Sequence, residues 1–227
     1  MSVALQALGW KPLGKCEVEV AKRNPKLVLV YPHTSNWDLY LCMLYKFSNS
    51  MLQGRMRFLV GGYCMRGWQG NLLRRYGAIQ CSYREVRSAG STASIVAELK
   101  KMEEFILLIS PKGTLEAASW RSGYYQIAKQ TGARIVCGGL DYYSHCFKFS
   151  EPFDIGDNSL EEVEFRCKKE LSSIAPHYPW MVEYPISLHQ VMVPTSVMRS
   201  ERYHLLIFAL ISLLLLVLLL HFNRRKV

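Results

Sequence analysis

The sequence predicts an α/β domain with a largely parallel, buried sheet flanked by helices, followed by one carboxy-terminal transmembrane helix. Three observations carry that expectation. The chain has 227 residues, a length that suits one globular domain. Short apolar runs alternate with helix-compatible patterns from residue 26 onward, which is the rhythm of strand and crossover helix. A leucine-dominated stretch lies near the end.

The strands are expected at KLVLVY (Lys26 to Tyr31), RFLVGG (Arg57 to Gly62), GAIQC (Gly77 to Cys81), FILLIS (Phe105 to Ser110), RIVCGGL (Arg134 to Leu140) and HCFKF (His145 to Phe149). Helices are expected between them over Asp38 to Phe47, Met65 to Tyr76, Ser91 to Glu103 and Ser122 to Gln130. A last helix over Ser159 to Ser172 opens with Ser159 followed three residues later by Glu162, the pattern of a capping box. After Ala175 the pattern fades into Pro176, Pro179, Pro185 and Pro194, which reads as an irregular segment along a membrane surface. The expected organisation is a domain over 1–186, a linker over 187–202, an anchor over 203–222 and a basic tail over 223–227.

From Leu205 to Leu220 every residue is apolar except Ser212. Sixteen helical residues rise only about 24 Å, but adding Tyr203, His204, His221 and Phe222 brings the length to about 30 Å, the thickness of a hydrocarbon core. The ends then sit where aromatic and basic side chains prefer to sit. The amino terminus, MSVALQALGW, lacks the basic start of a secretion signal, so the expected topology is a cytosolic domain held by its tail. The tail NRRKV pulls the other way, because its basic residues favour the cytosolic side. An endoplasmic-reticulum-type membrane is the expectation; a mitochondrial outer membrane or a bacterial inner membrane stays open.

A net charge of +10 raises the question of nucleic acid, but the positive residues are scattered and no nucleic-acid motif accompanies them. Attraction to anionic headgroups or to a phosphate-bearing substrate accounts for the charge more simply. The seven cysteines show no C-x-x-C spacing and read as reduced thiols. His145, His177, His189, His204 and His221 lie too far apart in sequence to suggest a metal set.

The chemistry is expected at PHTSNWD, Pro32 to Asp38, which follows a strand and opens a helix. Strand carboxyl ends are where α/β folds place reactive groups. His33 is suited to take a proton from a hydroxyl, and Asp38 to hold the ring's tautomer and balance its charge. A second cluster is SPKGT, Ser110 to Thr114, where Pro111 and Gly113 force a tight turn, Lys112 brings a cation and Thr114 a hydroxyl.

In order along the chain, these blocks resemble the glycerolipid (lysophosphatidic acid type) acyltransferase family. PHTSNWD is similar to its His-x-x-x-x-Asp motif, in the form of a short bacterial-type subgroup. GAIQCSYR, ending at Arg84, resembles its Gly-Gly-Ile-x-x-x-Arg element, and SPKGTLEAASWRSGYYQIAKQTGARIV resembles its Pro-Glu-Gly-Thr-Arg loop and final Val-Pro-Ile strand. The resemblance implies that His33 is general base and Asp38 its partner. Arg84, Pro111, Lys112, Gly113, Thr114 and Arg121 would bind the acceptor. The donor would be an acyl thioester, acyl-CoA or acyl carrier protein, with no metal or other cofactor, and the acceptor a lysolipid at the bilayer. The chain departs from the family where the loop's glutamate is Lys112, its arginine is Leu115, and the final block's proline is Arg134. The acceptor headgroup is therefore left open.

Two other classes stand beside the enzyme. A lipid-binding or membrane-remodelling relative is suggested by the altered loop, although the retained His33 and Asp38 argue for chemistry. A serine hydrolase is suggested by Ser35 beside His33, although the chain has no Gly-x-Ser-x-Gly elbow.

Overall fold

The structure is a computed structural model that describes residues 3–35, 37–81, 90–113 and 119–186. The six expected strands are all present: β1 (Lys26–Val30), β2 (Met56–Gly61), β3 (Ala78–Cys81), β4 (Phe105–Ile109), β5 (Arg134–Asp141) and β6 (Cys146–Phe149). They form one sheet in the order β3-β2-β4-β1-β5-β6. The first five are parallel, and β6 pairs antiparallel with β5. The connection from β5 to β6 is too short to carry a crossover, so only the antiparallel return is open to it.

The apolar runs are continuous because both faces of the sheet are covered. In β1, Val28 and Val30 join the core on one face while Leu27 and Leu29 join the core on the other. Phe105, Leu107 and Ile109 of β4 alternate in the same way with Ile106 and Leu108. The first face is covered by α6 (Gly90–Leu99), α7 (Gly123–Thr131) and α8 (Leu160–Leu171). The second is covered by α1 (Val3–Ala7), α2 (Lys15–Arg23), α3 (Trp37–Ser48), α4 (Ser50–Arg55) and, at its margin, α5 (Gly67–Arg75). Helices α1, α2 and α4 have no counterpart in the sequence reading: α1 and α4, at 5 and 6 residues, are too short to display a clear apolar period, and α2, KCEVEVAKR, is mostly polar with Ala21 its one buried residue. The capping box of α8 is present: Glu162 N–H donates to Ser159 Oγ at 3.3 Å, and Ser159 N–H to Glu162 Oε2 at 2.7 Å.

Polar staples gather at the amino ends of the strands. Arg55, just before β2, donates to the carbonyls of Ala21 at 2.6 Å, Asn24 at 2.6 Å and Pro25 at 2.9 Å, and pairs with Glu104 at 3.0 Å. Arg134, at the start of β5, donates to Asn24 Oδ1 at 3.0 Å and to the Pro152 carbonyl at 2.8 Å, with Asp154 at 3.3 Å. The arginine that replaces the family's proline is thus a fastener at the end of the sheet remote from PHTSNWD.

Lys46 is a buried lysine of α3, 3% exposed. Its ammonium donates to the carbonyls of Met56 at 2.7 Å and Tyr76 at 2.6 Å. Burial lowers its pKa to about 8, helped by the nearby Arg57 guanidinium.

Residues 175–184, read from the sequence as an irregular segment, pack into the domain. Ala175, His177 and Tyr184 are buried. Tyr142 N–H donates to the Ala175 carbonyl at 2.9 Å, and His177 N–H to Thr34 Oγ1 at 3.2 Å. Prolines 176, 179 and 185 erase any helical period without preventing their neighbours from burying apolar surface. Among the described residues no helix is long and apolar enough to cross a membrane. The expected linker, anchor and tail, 187–227, lie outside the described residues.

Candidate active site

His33 and Asp38 stand where the chain leaves β1 and enters α3, at the carboxyl end of the central strand. Their side chains meet: His33 Nδ1 lies 3.0 Å from Asp38 Oδ2. The carboxylate is fixed from several sides. Oδ2 also accepts the backbone N–H groups of Thr34 at 2.8 Å and Ser35 at 3.0 Å. Oδ1 accepts the Tyr142 hydroxyl at 2.7 Å. Asp38 lies in the first turn of α3, where the helix dipole favours a negative charge. It is 2% exposed, whereas the His33 side chain is 22% exposed. A carboxylate that accepts at Nδ1 sets the ring as the Nδ1–H tautomer. Nε2 then carries the lone pair, on the more open partner, as a general base requires.

Ser35 serves the head of α3. Its Oγ accepts the Trp37 N–H at 3.2 Å, at the entry of α3, and the residue is 3% exposed. Trp37 is half-buried, packing on the second-face core with its ring edge-on to Tyr40.

Tyr142 is the residue that sequence reasoning missed. It follows β5, 104 positions from Asp38, and its ring packs edge-on against Trp10 and His177 at centroid distances of 5.2 and 4.7 Å. Burial and the adjacent Asp38 charge hold its hydroxyl well above the usual tyrosine range, so it stays a donor. No local motif announces it. Its one signal is position, directly after a parallel strand next to β1.

The SPKGT turn follows β4, the neighbour of β1 on the other side. Gly113 N–H closes the turn on the Ser110 carbonyl at 3.0 Å, and Gly113 has φ +75°, which glycine adopts without strain. Pro111 is buried and its carbonyl accepts the Arg121 N–H at 3.0 Å; the Arg121 side chain is exposed. Lys112 turns toward the segment after α8, donating to the Met181 carbonyl at 3.1 Å and pairing with Glu183 at 3.4 Å. Arg84 and Thr114 lie outside the described residues.

His33, Thr34, Ser110, Pro111 and Lys112 share one pocket with Trp120, Met181, Val182 and Tyr184. The structure therefore brings the two sequence clusters together. Free volume in that pocket is about 10 Å³, roughly enough for one water. A larger cavity of about 240 Å³ between α1 and the end of α3, lined by Leu5, Leu13 and Tyr45, holds no base–carboxylate pair.

Comparison with known proteins agrees with this fold. The acyltransferase family model matches residues 15–139, which run from α2 through most of β5. The crystal structure of the 1-acyl-sn-glycerophosphate (LPA) acyltransferase PlsC from Thermotoga maritima is similar, with a TM-score of 0.52 and 18% sequence identity. That match covers 74% of this chain and 71% of the other, and it shows a shared fold. No curated protein matches the chain in sequence.

Proposed function

Because this chain belongs to the acyltransferase family, we propose that it moves an acyl group from a thioester, acyl-CoA or acyl carrier protein, to the hydroxyl of a lysophospholipid. The observation that carries the proposal is the contact between His33 Nδ1 and a buried, multiply bonded Asp38 carboxylate. Nε2 of His33 takes the proton of the acceptor hydroxyl as its oxygen attacks the thioester carbonyl. The imidazolium is balanced by Asp38, whose orientation the two backbone N–H groups and Tyr142 hold. Collapse of the tetrahedral adduct breaks the C–S bond and leaves an ester. The proton on Nε2 passes to the departing thiolate, so the reaction balances without a covalent acyl-enzyme, a metal or another cofactor.

The glycerol phosphate type of acceptor is supported by the family, by the basic charge of the chain and by a lysine on the pocket wall. Attachment to a bilayer through 203–222, with the domain on the cytosolic face of an endoplasmic-reticulum-type membrane, is part of the same proposal and rests on the apolar run in the sequence.

The test is acyl transfer by the detergent-purified chain, with labelled acyl-CoA or acyl carrier protein and a panel of lysolipids. Transfer that is lost in His33→Ala is expected. Equal behaviour of wild type and variant across every donor and acceptor would overturn the reading.

A further inference from the structure

Glu183 sits between two ammonium groups. One carboxylate oxygen is 3.4 Å from Lys112 Nζ and the other is 3.9 Å from Lys168 Nζ. Lys112 also holds the Met181 carbonyl. The chain from Pro179 to Tyr184 is thereby drawn against the SPKG turn, with Met181, Val182 and Tyr184 on the wall of the His33 pocket. Lys168 reaches the same wall from α8, its Nζ lying 5.3 Å from the centroid of Trp120, another wall residue. It shares its charge with Glu164 at 2.6 Å.

We propose that Lys112 and Lys168 form a phosphate-binding site, which the chain's own Glu183 carboxylate fills until substrate arrives. The inference rests on the acyl-transfer reading and names the charge that the site takes. The ligand is a phosphate group, carried either by the acceptor headgroup or by the phosphopantetheine arm of the donor.

Three observations lead there. The free volume of about 10 Å³ is roughly that of one water, so Met181, Val182 and Tyr184 confine what meets His33 on this side. Lys112 is the one lysine or arginine on that pocket among the described residues, and Glu183 already neutralises it. Leu115 stands where the family's loop has arginine, so the planar fork that grips a phosphate there is missing. A lysine is a point charge without that fork, and two lysines converging on one anion restore part of what it supplied.

Exchange is favoured by charge. A partly open carboxylate–lysine pair contributes little net stability. A phosphate brings more negative charge and more acceptor oxygens to the same two ammoniums. Residues 175–177 stay pinned by Tyr142 and Thr34, and the release of Glu183 leaves both ammonium groups to the incoming phosphate.

The experiment is calorimetric titration of the full-length, detergent-solubilised chain with inorganic phosphate and with glycerol 3-phosphate. Wild type is compared with Glu183→Gln and Lys168→Gln, with melting curves as a control of folding. Glu183→Gln is expected to bind phosphate about three- to tenfold more tightly and Lys168→Gln at least about threefold more weakly. In transfer assays, a lower KM for a phosphate-bearing lysolipid in Glu183→Gln assigns the site to the acceptor, and a lower KM for acyl-CoA assigns it to the donor. Phosphate affinity within about twofold of wild type in both variants, each melting normally, overturns the proposal. If one variant fails to fold, the other decides. Should the wild type transfer nothing, the acyl-transfer reading falls, while the phosphate titration still decides this one.

Discussion

The Tyr142 hydroxyl donates to Asp38 Oδ1 at 2.7 Å, joining the end of β5 to the first turn of α3. Asp38 thus has a fixed donor on each oxygen: Tyr142 on one, and His33 with two backbone amides on the other. Tyr142 touches no reacting atom in the proposed scheme and acts through Asp38, as a positioning residue.

Tyr142→Phe keeps the ring contacts with Trp10 and His177 and removes one hydrogen bond. The expected outcome is a kcat about tenfold lower with KM little changed, the size of one charge-assisted hydrogen bond. His177 also faces Tyr142, across its ring, and the same kcat and KM measured in a His177→Gln background separate the two. A kcat within about twofold of wild type would leave Tyr142 a packing residue.

Asp38→Asn is expected to cost more than activity. An asparagine amide can accept through only one of its two positions, and the other would point N–H groups at the Thr34 and Ser35 amides, or at the Tyr142 hydroxyl, which would then have to turn its own proton elsewhere in a buried site. We expect kcat to fall by about 10³ or more and stability to fall by about 2 kcal/mol. His33→Ala, at a more open side chain, should match the loss of rate and spare the stability. Urea titration of both variants beside their rates checks the contrast.

Ser35→Ala separates a transferase from a serine hydrolase. Its Oγ serves the Trp37 amide at the head of α3, so removal should cost about 1 kcal/mol of stability. Transfer should persist within about fivefold. Loss as complete as in His33→Ala would mean that the hydroxyl, and not the substrate's oxygen, is the nucleophile.

Lys46 gives a pH signature to stability. Its folded-state pKa of about 8 lies below the ordinary lysine value of 10.5, so between these values the unfolded chain binds more proton. Stability therefore rises as pH climbs through that window, and below it the cost of the buried charge is constant. Subtracting the urea-midpoint curve of Lys46→Met from that of wild type should isolate a gain of up to about 3 kcal/mol from pH 8 to pH 10.5. Parallel curves would show that the Met56 and Tyr76 carbonyls compensate the ammonium fully.

Much of this arrangement was legible in the residues. Six apolar runs became six strands, because a doubly covered sheet leaves an unbroken apolar pattern in sequence. His33 and Asp38 were legible because both lie within one strand–helix junction. Tyr142, Lys168 and Glu183 were not: each reaches the site through tertiary contacts, and a lone tyrosine, lysine or glutamate carries no spacing that announces it. Lys112 was legible as a cation near the chemistry, but its pairing with Glu183 was hidden 71 residues away. The packing of the proline-studded stretch after Ala175 was hidden for a related reason, since proline silences periodicity even where the backbone is packed.

The two arginine fasteners and the His33 pocket lie at opposite ends of the same strands. Robustness and turnover are therefore separable traits here. Reinforcing the seam around Asn24, Glu104 and Asp154 offers a way to raise the melting temperature that leaves substrate preference untouched. Altering preference calls for work at the other end, on Lys112, Lys168 and the Glu183 carboxylate between them.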